Sequence, residues 1–151
     1  MNTQYRKASE SDIPFIAKIR SSEWATEDYW NKRITSYLNG ELNPQQALPQ
    51  RILYVATEED SIVGFIAGHF TQRLGCDGEL QWLNVISAYQ RKGIASGLTK
   101  LLAAWFVEQK IFRICVNVDP ANKKAQQFYK TLGAENINEH WLIWENINIL
   151  L

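Results

Sequence analysis

Apolar residues recur at helical spacing through the first quarter of the chain. Ile13, Ile16, Ala17 and Ile19 form one stripe, and Ser9 or Ser11 suits the capping position before it. Tyr29, Trp30, Ile34, Tyr37 and Leu38 form a second stripe behind Thr26, with Glu27 and Asp28 in its first turn. Asn39-Gly40 then stops the pattern. Residues 5–8 precede these helices as a short edge strand. Residues 41–50 hold Pro44 and Pro49 with little periodicity, which predicts a surface loop.

The period then shortens to two. Residues 52–57 and 62–70 read as strands joined by the polar turn Glu58-Glu59-Asp60-Ser61. A glycine-bearing turn at residues 74–78 leads into a strand over 79–86. Its alternation predicts Leu80 and Trp82 on one face and Glu79, Gln81, Leu83 and Val85 on the other. Ile94, Leu98, Leu101, Leu102 and Trp105 mark a third helix, and residues 112–118 a strand ended by Asp119-Pro120. Ala125, Phe128, Tyr129 and Leu132 stripe a last helix closed by Gly133, and residues 140–144 form a final strand. Hairpins in the first half and strand–helix–strand crossovers in the second predict an α/β fold, a mixed sheet covered by helices.

The chain has 151 residues, which fits one domain over 1–151 with a sizeable core. Sixteen basic residues balance sixteen acidic ones, and no basic stripe is visible, which argues against a nucleic-acid partner. The longest purely apolar run, residues 101–107, is far below the roughly 20 residues a membrane span needs. Arg6, Lys7, Glu10 and Asp12 interrupt the N-terminal stretch before a signal peptide could form. Cys76 and Cys115 make neither a disulfide framework nor a metal knuckle, so a reducing, cytoplasmic setting is expected. With two histidines and no HExxH, no metal is expected.

The segment from Val85 to Leu98 carries the most chemistry. A strand ends, a basic glycine-containing turn follows, and a helix starts at once. Helix N-termini offer unpaired N–H groups and partial positive charge to phosphates. Gly93 and Ala95 keep side chains clear of the backbone, and Arg91 and Lys92 add charge. The alternative is an ordinary turn with a solvated Gln-Arg-Lys run. Neither a Walker A loop nor a dinucleotide fingerprint is present.

Gln90-Arg91-Lys92-Gly93-Ile94-Ala95 resembles the pyrophosphate loop of the GNAT (Gcn5-related) N-acetyltransferases, Gln/Arg-x-x-Gly-x-Gly/Ala. Ser87 stands where the family often has proline. A second stretch, from Asn122 through Ala125 and Phe128-Tyr129 to Gly133-Ala134, resembles Asn-x-x-Ala-x-x-Phe-Tyr-x-x-x-Gly-Phe, departing only at Ala134. The resemblance implies a mostly antiparallel sheet of six to seven strands, splayed at the centre, with helices on both faces. It also implies acetyl-CoA as co-substrate. Pantetheine would lie between the strands at 79–86 and 112–118, along Leu83, Asn84 and Val85. The amides of Arg91, Lys92, Gly93, Ile94, Ala95 and Ser96 would cradle the pyrophosphate beside Gln90, with Asn122 as a contact or a helix cap.

Acetylating an amine takes a proton from the ammonium and gives one to the departing thiolate. Tyr129 matches the family's general-acid tyrosine; its alternative is a packed aromatic. Glu79 stands where the histone-acetylating branch carries its glutamate base; its alternatives are an ion pair with Arg73 or a base role left to ordered water. His69 could also take a proton or meet the substrate, but reads equally as a hydrogen-bonded core residue. Trp24 and Tyr29, with Glu23, Glu27 and Asp28 nearby, suit a cationic amine or simply pack the helix pair. Residues 135–151 leave little room for the family's two C-terminal strands, so Trp141 and Trp144 either join a homodimer or cover the sheet.

The expectation is therefore an acetyltransferase acting on an amine of a small molecule or peptide. Its rivals are a non-catalytic acyl-CoA sensor of the same fold and a nucleotide-phosphate binder of another.

Overall fold

The computed structural model describes residues 2–41 and 46–151. β1 (Gln4–Lys7) leads through a 3-10 turn into α1 (Ile13–Ser21) and α2 (Glu27–Leu38). β2 (Ala47–Glu58), β3 (Ser61–Thr71) and β4 (Gly78–Val85) follow as a meander. Next come α3 (Ile94–Glu108), β5 (Ile114–Asn117), α4 (Lys123–Thr131), β6 (Glu135–Asn136) and β7 (Trp141–Trp144). Among the described residues seven strands pair in the order β1-β2-β3-β4-β5-β7-β6. Every pairing is antiparallel except that of β4 with β5.

The sheet separates two cores. On one face α1 and α2 bury Ile16, Trp30, Ile34 and Tyr37 against Leu53, Val55, Phe65 and Trp82. On the other, Ile94, Leu98, Leu102 and Phe106 of α3 pack with Ile66, Leu80, Val116 and Trp144, joined by Tyr129 of α4. The mostly antiparallel sheet with helices on both faces matches the sequence expectation.

Three local expectations change. The loop expected over 41–50 lies partly outside the described residues, at 42–45, but its last four residues belong to β2. Ala47 pairs with Thr71 and Arg51 with His69, so residues 48–50 bulge opposite Phe70 and give Pro49 a place that needs no ladder bond. Both C-terminal strands form, because β6 needs only two residues. Trp144 is used within the chain: it is fully buried, and its indole N–H donates to the Leu132 carbonyl at 3.1 Å. Trp141 is half-buried, with the Arg73 guanidinium 4.9 Å from its ring centre.

The third change is in β4. Ala67 faces Trp82 and Gly68 faces Leu80, leaving Gln81 as an extra residue. This bulge reverses the alternation. Leu80, Leu83 and Val85 pack toward α3, whereas Trp82 packs toward α1 and α2. Glu79 contacts His69, which bonds Tyr37 of α2, so Glu79 shares neither face nor neighbours with Leu83 and Val85.

At the start of β4, a Cβ on Gly78 would sit 2.5 Å from a ring carbon of Phe106 and 2.7 Å from Ile114. Gly78→Ala is expected to cost about 1–3 kcal/mol by overpacking, read as a lower urea midpoint; an unchanged midpoint would refute this close approach. Before α1, Arg6 donates to both Asp12 oxygens at 2.7 and 2.9 Å, and the Ser9 amide donates at 2.7 Å. The Arg6 hydrogen bonds chiefly, with the Ser9 amide, hold the Asp12 carboxyl down at about 2, below its usual 3.8. The folded value lies below the unfolded one, so this stabilisation is complete above about pH 4 and fades as pH falls through about 2. Asp12→Asn should therefore be less stable than wild type near pH 5, with the gap closing toward pH 2. A gap that stays constant over that range would remove the pair from the acid response.

Candidate active site

β5 accompanies β4 only at its start, pairing Ile114, Cys115 and Val116 with Gly78, Glu79 and Leu80. Beyond Leu80 the two strands part, while β3 still pairs Leu83, Asn84 and Val85 on their other edge. The gap opens into a cleft of about 730 Å³, within the range that holds a small ligand. Leu83, Asn84 and Val85 form one wall, Gln90 to Ser96 (apart from Lys92) one end, and Asn122, Phe128 and Tyr129 another wall.

The phosphate-loop candidates meet at that end. Arg91 and Gly93 adopt left-handed backbone, φ 62° and 82°, which turns the chain from β4 into α3. Gly93 precedes α3 with no side chain to cap it, and the first turn holds no acid. The N–H groups of Ile94, Ala95 and Ser96 thus open α3 beside the cleft, as an anion site requires. Lys92 lies outside the lining, its ammonium 5.5 Å from the Tyr89 ring centre. The Asn122 side chain accepts from the Ala125 amide at 3.1 Å, capping α4 while it also lines the cleft.

Tyr129 is buried and lines the cleft, packed edge-on to Trp144. Burial pushes its phenol well up, Arg20 opposes this, and the Glu23 charge adds to it. The hydroxyl therefore stays protonated and able to donate at neutral pH.

Glu79 is not brought to this cleft. It is 4% exposed, its Oε1 accepts from Arg73 Nε at 3.2 Å, and His69 Nε2 lies 3.5 Å away. His69 is fully buried, its Nδ1 2.9 Å from the Tyr37 hydroxyl, so it packs beneath α2 and does not line this cleft. Trp24 and Tyr29 remain on the surface, 57% and 40% exposed, with ring centres 5.5 Å apart. Cys76 and Cys115 are buried beside Ile143, away from the cleft.

The sequence places Glu23 only among the acids near the aromatics of the first two helices, and assigns no role to Lys124. Glu23 enters the cleft from the α1–α2 connection, held by the Arg20 guanidinium at 2.8 Å and the Asn84 amide at 2.6 Å. Burial lowers the Arg20 pKa, against the opposing pull of Glu23. Lys124 also lines the cleft; it donates to Gln90 at 2.7 Å, and Gln90 donates to the Val85 carbonyl at 2.9 Å. The Glu23–Asn84 and Lys124–Gln90 links join residues 61 and 34 apart, for which a single sequence holds no local signal.

A family model described as "Acetyltransferase (GNAT) family" matches residues 15–134. No curated protein matches the chain. Among solved structures, Ard1 from Thermoplasma volcanium is 20% identical, with TM-score 0.75 over 95% of each chain. An acetyltransferase from Thermus thermophilus is 16% identical, with TM-score 0.74 over 95% of this chain and 96% of that one. The PaiA N-acetyltransferase of Thermoplasma acidophilum, solved with coenzyme A, is 18% identical, with TM-score 0.73 over 97% and 99%. At these identities the structural likeness establishes the fold.

Proposed function

The chain belongs to the acetyltransferase (GNAT) family, and on that premise we propose that it moves an acetyl group directly from acetyl-CoA to a primary amine. The acceptor is an amine-bearing small molecule or peptide. One observation carries the reading: a single cleft joins an uncapped helix N-terminus, an unpartnered strand edge and a buried tyrosine.

These residues fit acetyl-CoA by three independent features. The amides opening α3 suit a pyrophosphate, with Arg91 at the same end of the cleft. Among the described residues the β4 edge at 83–85 has no strand neighbour on the β5 side, only the Gln90 side chain on the Val85 carbonyl, so it can pair with the amides of a pantetheine arm. Leu83, Val85, Ile94 and Phe128 give that arm an apolar lining. When bound, acetyl-CoA supplies a thioester whose acetyl group an amine takes up, leaving a free thiol and a proton. Backbone N–H groups of β4 would orient and polarise the carbonyl without reorganising. Tyr129, kept neutral by burial, would donate its proton at the sulfur. Glu79 has a different part: paired with Arg73 and near His69, it ties β4 to β3 beneath α2.

The acceptor would enter from the α1–α2 side, where Glu23 and Asn84 face the cleft and Trp24 and Tyr29 are exposed. Two unbridged cysteines are consistent with a cytoplasmic setting. Among the described residues no helix is long and apolar enough to cross a membrane, and no group of three or more His, Cys, Asp or Glu is placed to hold a metal.

Thermal unfolding tests the donor. Acetyl-CoA or CoA at about 100 times its dissociation constant should add roughly 2.7 kcal/mol, and ATP at the same concentration much less. No shift with either CoA species in folded, ligand-free protein would remove the donor site. Tyr129→Phe should lower kcat by roughly 10²–10⁴ with acetyl-CoA affinity unchanged; wild-type turnover in the variant would take the acid role from Tyr129.

A further inference from the structure

Resting on the acetyltransferase reading above, we propose that Glu23 receives the acceptor's ammonium group and takes its proton. Among the described residues lining the cleft, Glu23 is the one carboxylate. It comes from the connection between α1 and α2, on the face of the sheet opposite α3. A donor seated at the α3 N-terminus therefore leaves the Glu23 side of the gap for the acceptor.

Both Glu23 oxygens are held, Oε1 by Asn84 Nδ2 at 2.6 Å and Oε2 by Arg20 at 2.8 Å. The Asn84 side chain also accepts from Arg20 at 3.2 Å, closing a three-residue ring. The ring fixes the carboxylate, yet the Glu23 side chain remains 54% exposed and open to an incoming cation. Glu79, by contrast, is 5% exposed at its side chain and already shares its charge with Arg73. The groups acting on the site are Arg20 of α1, the Tyr129 phenol of α4, and Arg33 of α2, whose charge reaches Arg20. Lys124 of α4 is engaged with Gln90.

The proton moves from the ammonium nitrogen to a Glu23 oxygen, which frees the nitrogen lone pair. That pair forms the C–N bond to the acetyl carbon as the C–S bond breaks, and the sulfur takes the Tyr129 proton. The second nitrogen proton restores the phenol, and Glu23 releases its own to solvent, so one proton is liberated per amide formed.

The test compares wild type with Glu23→Gln, using n-butylamine, lysine amide and a short peptide with a free N-terminus as acceptors. Acetyl-CoA affinity by calorimetry should match wild type within about twofold, because Glu23 lies away from the phosphate loop. At pH 7 the variant's kcat/KM for the amine should fall roughly 100-fold. The deficit should shrink below about tenfold near pH 10, where an alkylamine is increasingly neutral by itself. A variant-to-wild-type ratio that is constant with pH, or close to one throughout, overturns the role of Glu23. So does wild-type protein that binds acetyl-CoA yet accepts none of the three amines. Wild-type protein that binds no acetyl-CoA overturns the acetyltransferase reading itself.

Discussion

β4 can keep both neighbours only where its residues lie in register with both, and that holds for just three positions, Gly78 to Leu80. β3 is a long antiparallel partner that follows β4 to its end, whereas β5 is a four-residue strand that pairs with β7 along its whole length and with β4 only as far as Val116. The site follows from this inequality. A sheet interior would normally satisfy every main-chain group, so an unpartnered edge in its middle is costly unless something else pairs with it. Part of that demand is met by a side chain, since Gln90 reaches back to the Val85 carbonyl.

The Gln81 bulge sets what each face of the gap offers. It turns Asn84 toward Arg20 and Glu23 and leaves Leu83 and Val85 facing the α3 core. A strand without the bulge would have put Glu79 on the face of Leu83 and Val85. With it, Glu79 lies beside Arg73 and His69, where its charge is neutralised and shielded from water. Buried carboxylates need such partners. Glu23 needs none for solvation, and its two hydrogen-bond donors serve to orient it.

Local patterns are legible wherever one chain segment specifies its own conformation. The stripes of α1 to α4, apart from the exposed Tyr29, survive in the structure, as do the Thr26 and Asn122 caps, the Gly133 stop and the glycine at the head of α3. The glycine-containing loop at residues 90–96 and the Phe128-Tyr129 pair are readable because each motif is contiguous in the chain. Period-two alternation fails at Gln81, since a bulge is a property of the β3–β4 pair and leaves no mark on β4 alone. In sequence Glu23 is only an acid near aromatics; its link to Asn84 spans 61 residues and exists only once α1 has docked on the sheet. The second C-terminal strand escapes the pattern because a two-residue β6 is shorter than any periodic signal.

The indole of Trp144 bonds the Leu132 carbonyl and packs edge-on to Tyr129, so the last strand holds the end of α4 and its tyrosine together. β7 pairs on one side with β5 and on the other only with the two-residue β6. Proteins open in local units with free energies below that of global unfolding, and thin edges open first. Here the edge unit and the support of the proposed acid are the same piece of chain. Brief fraying of β6 and β7, too small to register as loss of fold, would loosen Tyr129. Hydrogen exchange along residues 141–144 would thus report on catalytic competence more closely than the melting temperature of the whole domain.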